Sequence, residues 1–176
     1  MVRRLTGGGA ILHDRELTCA LVVPVDDPLV ADHAARLYER VHDAVIAVAA
    51  DVGLAAWRGE HDAEANSRRG PFFCFARRHR FDVIALDGKL AGSAQRRGRR
   101  AVLQHGSIIL ARRFDQQPSA TLEPMTADEL CDRLATKLGE ITGRPVVAGN
   151  WFPDELVRAD SLRDKYLDSA WTQRQP

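Results

Sequence analysis

Residues 72–110 read FFCFARRHRFDVIALDGKLAGSAQRRGRRAVLQHGSIIL, and this stretch decides the fold. Two apolar runs lie on either side of an Asp87-Gly88 pair, which is a strong signal for a β-hairpin when it separates strand-like segments. A third apolar run follows after an arginine-rich turn. The sequence therefore predicts three neighbouring strands, over residues 81–86, 89–95 and 101–110.

Amphipathic helices and further strands are predicted around this stretch. Apolar side chains recur every three or four residues over 31–52, which predicts a helix that packs on the sheet and is closed by Gly53. Thr126 and Glu129 form a capping box that opens a second helix over 126–141. The other predictions are a strand at 17–24 that buries Cys19, a core position for Cys131, short strands within 3–14, at 54–57 and at 146–147, and a final helix over 154–171.

Length and composition are those of an ordinary globular protein. The 176 residues are 45% hydrophobic and 28% charged, and this length favours one domain over residues 1–176. A net charge of +1 provides no global field for nucleic acid or an anionic membrane. No apolar run reaches the roughly 18 residues that span a bilayer. Three widely spaced cysteines and an N-terminus without a secretory signal favour a reducing compartment, so we expect a cytoplasmic protein without nucleic-acid or membrane partners.

Cys74 and Lys89 are the candidate reactive groups. The phenylalanines around Cys74 are compatible with an inert buried thiol, whereas its place after a polar loop is typical of a catalytic group. Lys89 follows the hairpin turn and precedes a run of small residues, which leaves room for a ligand beside its ammonium. A cation at this place favours thiolate formation and can hydrogen-bond the carbonyl of a thioester. The two residues together favour a reaction site, while the thiol alone leaves both interpretations open.

Several polar segments are candidates for ligand or partner contacts. The three glycines at 7–9 let backbone amides approach a ligand, although such turns are more often only turns. His13 and His105 lie by small residues near strand ends, where each is a proton carrier, a ligand contact or a satisfied structural histidine. The polar segment 59–71 is predicted to be a lid or docking loop, and the basic turn 96–100 favours an acidic protein partner. The other histidines, His33, His42, His61 and His79, are predicted at the surface.

Four motifs in order carry a family resemblance: RRLTGGGAILHD at 3–14, CF at 74–75, DGKLAGSAQRR at 87–97 and LQHGSIIL at 103–110. The chain resembles the biotin/lipoate protein ligase (BPL/LPL) superfamily, and most of all its lipoate-protein ligase A-like, LipM-type octanoyltransferase branch. The resemblance implies an α/β (α+β) fold, in which a mixed, mostly antiparallel sheet packs against helices in a single catalytic domain. Family members carry strands and a helix before the first motif, and the resemblance implies a domain that lacks them.

The resemblance also implies an octanoyl or lipoyl acyltransferase of lipoate biosynthesis and protein lipoylation. Acyl carrier protein would be the donor, and a lysine of a lipoyl-domain protein, the glycine cleavage H protein or a 2-oxoacid dehydrogenase E2, would be the acceptor. Cys74 matches the cysteine that carries the acyl thioester, and Lys89 matches the lysine that activates it. No cofactor is implied, because a thioester donor is already activated. The positions that match substrate-binding residues are Arg4, Gly7, Gly8, Gly9, Ala10, His13, Gly92, Ser93, His105 and Gly106.

Two alternatives to acyl transfer stay open. The superfamily includes ATP-dependent lipoate-protein ligases, which would need ATP and Mg²⁺ and which usually lack the CF cysteine. A chain that begins at the first motif is alternatively a noncatalytic acyl- or partner-binding paralogue, or one to which a second subunit supplies the N-terminal part. The cysteine favours transfer, and no metal ligand is expected in that case.

Overall fold

The computed structural model describes residues 2–6, 8–59 and 71–173 of the chain. The strands are β1 (Glu16–Pro24), β2 (Ala56–Arg58), β3 (Val83–Ala85), β4 (Gly88–Arg97) and β5 (Ala101–Ile109). The helices are α1 (Ala34–Asp51), α2 (Ala127–Thr142), α3 (Pro153–Leu167) and α4 (Ser169–Thr172), and a 3₁₀ turn covers Cys74–Ala76. No helix within these described ranges has the length and apolar character needed to cross a membrane.

The strands form one sheet in the order β1-β5-β4-β3-β2, and every neighbouring pair is antiparallel. The hairpin joins β3 to β4, and the arginine-rich turn joins β4 to β5. The three strands predicted from residues 72–110 therefore lie side by side. The predicted α/β (α+β) fold class, with a mostly antiparallel sheet and packing helices, is confirmed.

Helices α1 and α2 cover one face of the sheet, which we call the helix side. Leu90 of β4, Val48 of α1 and Leu130 of α2 are fully buried there in one apolar cluster. The predicted cap of α2 is present, since Thr126 Oγ1 accepts the N–H of Glu129 at 3.2 Å. The two helices thus anchor the central strands from one side only.

The opposite face, which we call the open side, is floored by small and polar residues. Antiparallel partners share a face, and Thr18, Ser107 and Gly92 are direct partners in a row across β1, β5 and β4. The neighbouring row on this side consists of Ala20, His105 and Ala94. Because few large side chains stand on these rows, a ligand can come close to the strands.

Two predictions about the hairpin and the C-terminal part are wrong. Ala85 pairs with Gly88, so the two-residue loop is Leu86-Asp87, and Gly88 begins β4 with φ +134°. The loop ends one residue earlier than predicted because this φ is readily adopted by glycine within the ladder. Residues 146–147 form no strand.

The cysteines of the helix side are less buried than predicted. Cys131 is exposed, because the buried face of α2 is formed by Leu130 and Leu134. Cys19 is half-buried in β1, and this burial raises the pKa of its thiol. Both cysteines are unpaired thiols.

The chain divides into two compact units, Gly8–Val146 and the segments Met1–Gly7 and Val147–Pro176. The larger unit holds the sheet with α1 and α2. The smaller unit holds α3 and α4, into which the predicted final helix is divided. Within it the indole N–H of Trp171 donates to the carbonyl oxygen of Arg3 at 2.8 Å. A single domain over residues 1–176 stays a prediction.

Candidate active site

Cys74 is held by the segment that follows the three glycines. The N–H of Cys74 donates to the carbonyl oxygen of Ala10 at 2.8 Å, and the N–H of Ala10 donates to that of Phe72 at 3.0 Å. Within residues 8–14 this single bridge takes the place of the predicted strand, and Cys74 begins a 3₁₀ turn. The half-buried cysteine therefore lies at a chain reversal whose backbone is fixed.

Gly9 allows these two segments to meet. A β-carbon at Gly9 would lie 2.7 Å from the carbonyl oxygen of Phe72 and 2.9 Å from the nitrogen of Cys74. Gly8 has φ +94°, a left-handed conformation that favours glycine. Gly7 lies outside the residues that the structure describes. The glycines therefore position the backbone of Cys74, and their contact with a ligand stays a prediction.

We expect Gly9→Ala to lower the free energy of unfolding by about 2–3 kcal/mol, because the atoms it would meet belong to backbone that cannot rotate away. Urea denaturation measures this loss. Gly149→Ala is the matched control, since nothing lies within 4 Å of a β-carbon at Gly149. Equal stability of the two variants would contradict the role given to Gly9.

A β-bulge turns the side chain of Lys89 toward the open side. Ile84 of β3 pairs with Lys89. The preceding residue, Val83, pairs with Ala91, so Leu90 is an extra residue in β4. Leu90 and Ala91 are consecutive, yet both are buried in the apolar cluster of the helix side. If the same residues formed an unbroken strand, Lys89 would share the face of Ala91 and enter that cluster.

Lys89 and Asp82 form a buried ion pair beside Cys74. The Lys89 Nζ lies 2.8 Å from Asp82 Oδ2, and the two side chains are 4% and 6% exposed. The same Nζ lies 3.4 Å from the carbonyl oxygen of Cys74 and 3.5 Å from that of Arg77. Asp82 also accepts the N–H of His79 at 2.7 Å. The structure thus brings Cys74 and Lys89 together, and Asp82 is a partner that the sequence reasoning missed.

Gly92 provides the space that the ammonium occupies. A β-carbon at Gly92 would lie 2.5 Å from Lys89 Cε and 2.8 Å from Nζ. The ring of Phe75 is buried nearby, with its centroid 5.3 Å from Nζ. The cation is therefore bounded by strand backbone and by an aromatic ring, a dry setting in which its charge acts strongly on its neighbours.

His42 is buried, although it was predicted at the surface. Its side chain contacts the carbonyl oxygen of Phe81 through Nδ1, and Nε2 lies 2.6 Å from Ser93 Oγ. Gly106 leaves room for this contact, because a β-carbon there would lie 2.6 Å from Ser93 Oγ. Ser93 and Gly106 are partners on the helix side, so they support the strands on the face opposite Lys89. Their predicted role in substrate binding stays a prediction.

His42 gives the fold a pH dependence whose sign follows from burial. Burial lowers the pKa of His42, against the effect of the Phe81 carbonyl and Asp82. As the pH falls through the ordinary histidine range, the unfolded chain binds a proton that the folded chain refuses, so stability falls. We expect His42→Gln to flatten the unfolding profile between about pH 7 and about pH 5, by up to about 1.4 kcal/mol per pH unit. The control is His33→Gln, because His33 is exposed. Parallel curves of unfolding free energy against pH for the wild type and His42→Gln would contradict the prediction.

The remaining predicted contact residues occupy different places. His13 contacts the carboxylate of Glu16, and its side chain is 61% exposed. His105 lies on the open side, between alanines of β1 and β4. Arg4 belongs to the smaller compact unit. Among residues 2–6, 8–59 and 71–173, no group of three or more His, Cys, Asp or Glu lies close enough to hold a metal ion.

The fold is that of lipoate-protein ligases. A lipoate-protein ligase A solved with bound ATP has a TM-score of 0.78 and 22% identity over 97% of this chain and 70% of its own. A bi-partite lipoate protein ligase from Thermoplasma acidophilum, described with its E2 lipoyl domain, has a TM-score of 0.74 and 21% identity over 99% of this chain and 72% of its own. At these identities the likeness concerns the fold alone.

The chain belongs to the lipoyl protein ligase A/B catalytic domain family, whose sequence pattern matches residues 1–138. It is 29% identical to the octanoyltransferase LipM of Kyrpidia tusciae, over 98% of this chain and 74% of that protein. It is 33% identical to that of Bacillus subtilis, over 95% of this chain and 59% of that protein. It is 34% identical to the octanoyltransferase LipM of Moorella thermoacetica, over 90% of this chain and 60% of that protein. The predicted resemblance is confirmed, and the chain spans 59–74% of these relatives.

Proposed function

We propose that this chain moves an octanoyl group from acyl carrier protein to a lysine of a lipoyl-domain protein through a thioester on Cys74. The observation that carries the proposal is the buried Lys89–Asp82 ion pair, with Nζ 3.4 Å from the Cys74 carbonyl oxygen. Membership of the family and similarity to octanoyltransferases support the same chemistry. The acceptor class includes the glycine cleavage H protein and 2-oxoacid dehydrogenase E2 chains.

The reaction divides into two acyl transfers. The Cys74 thiolate attacks the thioester carbonyl of the donor, and the phosphopantetheine thiol leaves while the octanoyl group stays on Sγ. The acceptor amine then attacks the new thioester, so that a C–N bond forms as the C–S bond breaks. The Lys89 ammonium supplies positive charge where the thiolate and the oxyanion develop. Each step has a lower barrier than direct transfer between two large proteins.

Intact-mass analysis after incubation with octanoyl-acyl carrier protein tests the thioester. We expect the mass of the wild type to increase by one octanoyl group, and hydroxylamine to remove it as it removes thioesters. Cys74→Ser should show no such adduct under the same conditions. No adduct on the wild type, or an equal adduct on Cys74→Ser, would overturn the proposal.

An ATP-dependent lipoate-protein ligase is the second candidate, because one solved relative in fold is such a ligase bound with ATP. A ligase activates a free acid and would need ATP and Mg²⁺, whereas transfer from a thioester donor needs no cofactor. Product from octanoyl-acyl carrier protein without ATP supports transfer. Product only from free octanoate or lipoate with ATP supports the ligase, and product in neither assay supports a noncatalytic binding protein.

The basic turn between β4 and β5 is proposed to bind the acidic donor protein. Arg99 and Arg100 are exposed, whereas Arg97 donates to the carbonyl oxygens of Val30 at 3.2 Å and Val25 at 3.4 Å and so holds the turn. We expect Arg99→Glu with Arg100→Glu to weaken donor binding about tenfold at low salt and less at high salt. Arg112→Glu, at an exposed arginine outside the turn, is the control. Unchanged affinity in a titration would contradict this docking site.

A further inference from the structure

His13 and Glu16 form a second polar pair in the larger unit, separate from Lys89 and Asp82. The side chain of Glu16 is 5% exposed, whereas that of His13 is 61% exposed. The Glu16 Oε1 contacts His13 Nδ1 and accepts hydrogen bonds from Thr18 Oγ1 at 3.1 Å and Ser107 Oγ at 3.3 Å. These three contacts fix the position of the Glu16 carboxylate, and the carboxylate in turn fixes the orientation of the His13 imidazole.

His13 belongs to the segment whose Ala10 is hydrogen-bonded to Cys74. Ala10, which is hydrogen-bonded to Cys74, precedes His13 by three residues. Three residues of extended chain span at most about 11 Å, so the Cα atoms of Ala10 and His13 lie within that distance. The backbone of His13 is therefore tethered to the segment that is hydrogen-bonded to Cys74.

The sheet connects the same two places by a second route. Ser107, which donates to Glu16, is the direct partner of Gly92, against which the Lys89 ammonium packs. Neighbouring strands lie about 4.8 Å apart, so one strand spacing separates the serine from the lysine site. A row of polar groups thus runs over the open side from Lys89 to His13.

The contact with Glu16 determines the tautomer of His13. The Glu16 carboxylate can only accept a hydrogen bond, so the Nδ1 atom that it contacts carries the hydrogen in the neutral imidazole. Nε2 then carries the lone pair, and this tautomer is assigned from the hydrogen-bond partner. The exposed imidazole can meet an incoming amine, while the carboxylate behind it is buried. An imidazole oriented in this way by a carboxylate is the usual form of a general base.

We propose that His13, oriented by Glu16, accepts the proton released when the acceptor lysine takes the acyl group from Cys74; this inference rests on the proposed function. The amine nitrogen bonds to the thioester carbonyl carbon, the C–S bond breaks, and Cys74 leaves as a thiolate. One amine proton passes to His13 Nε2 and then, through solvent, to the thiolate. His13 is the catalytic residue of this step, and Glu16 is a positioning residue that acts through it.

Single-turnover kinetics of the two half-reactions test the roles of His13 and Glu16. Acylation of Cys74 by octanoyl-acyl carrier protein is followed first, and transfer from the isolated octanoyl-enzyme to a lipoyl-domain lysine is followed second. We expect His13→Gln and Glu16→Gln to slow transfer about 100-fold more than they slow acylation. Hydroxylamine, which is unprotonated at neutral pH and needs no base, should discharge the octanoyl-enzyme of the variants as fast as that of the wild type.

The control is Thr18→Val, which removes one donor to Glu16 and keeps the contact with His13. Equal slowing of both half-reactions, or slow discharge by hydroxylamine, would overturn the proposal and reduce His13 to a binding or structural residue. If the variants transfer to lysine at the wild-type rate, only this inference fails. If no octanoyl-enzyme forms on the wild type, the proposed function fails and takes this inference with it.

Discussion

Lys89→Met is expected to slow the acylation of Cys74 strongly and to lower the free energy of unfolding by about 3–5 kcal/mol. The stability loss arises because the Asp82 side chain, 6% exposed, would keep its charge in the core without the cation at 2.8 Å. The loss of acylation should be about 100-fold to 1000-fold, since one preorganised donor to a developing oxyanion has this effect. Urea denaturation and intact-mass kinetics measure the two losses separately.

A double variant separates stability from chemistry at Lys89. Asp82→Asn removes the stranded charge and keeps an acceptor for the N–H of His79, which lies 2.7 Å from Asp82 Oδ2. We therefore expect Lys89→Met with Asp82→Asn to regain most of the lost stability while acylation stays as slow as in Lys89→Met. If acylation returned together with stability, the ammonium would be a structural group and would have no part in the reaction.

Gly92→Ala is expected to slow the acylation of Cys74 about 100-fold and to reduce stability by only about 1–2 kcal/mol. The new β-carbon would meet Lys89 Cε at 2.5 Å and Nζ at 2.8 Å, which are the far end of a flexible side chain. The lysine therefore turns away while the backbone keeps its place. Intact-mass kinetics and urea denaturation test the two effects, with Gly149→Ala as the unhindered control. A variant that is acylated at the wild-type rate would show that the position of the ammonium does not matter.

The strands and helices of the larger unit could be predicted because their signals are local. The hairpin follows from a turn dipeptide between apolar runs, and α2 follows from Thr126 and Glu129, which the structure shows as a cap. Cys74 and Lys89 were predicted from residue type and neighbours, and the structure brings them together. Their catalytic roles stay predictions.

Asp82 and His42 carried signals that the sequence reasoning passed over. Asp82 is a carboxylate at the start of an apolar run. A carboxylate that is buried there needs a cation beside it, because an unpaired buried charge is costly. His42 lies four residues after Tyr38 and three before Val45, on the apolar stripe of α1, and this position indicates burial rather than the surface location predicted for it. A polar residue on an apolar stripe therefore indicates a buried hydrogen-bond partner, which here is Ser93.

Other features could not be predicted because they depend on contacts between distant segments. The meeting of Gly9 with Cys74 requires two segments more than sixty residues apart, and no local pattern encodes it. The exposure of Cys131 depends on which face α2 turns toward the rest of the protein, and the buried face carries Leu130 and Leu134 instead. The segment 59–71, predicted as a lid, lies for the most part outside the described residues.

The extra residue Leu90 has a consequence for finding this arrangement in other proteins. Lys89 and Gly92 are three positions apart, and in a regular strand an odd spacing places two side chains on opposite faces. Here both act on one face, so a search that assumes an unbroken strand would reject the pair. Deleting Leu90 would place the lysine and the glycine two positions apart in an unbroken strand, where they would again share a face. A spacing of three between the lysine and the glycine therefore fits one face only together with a bulge between them.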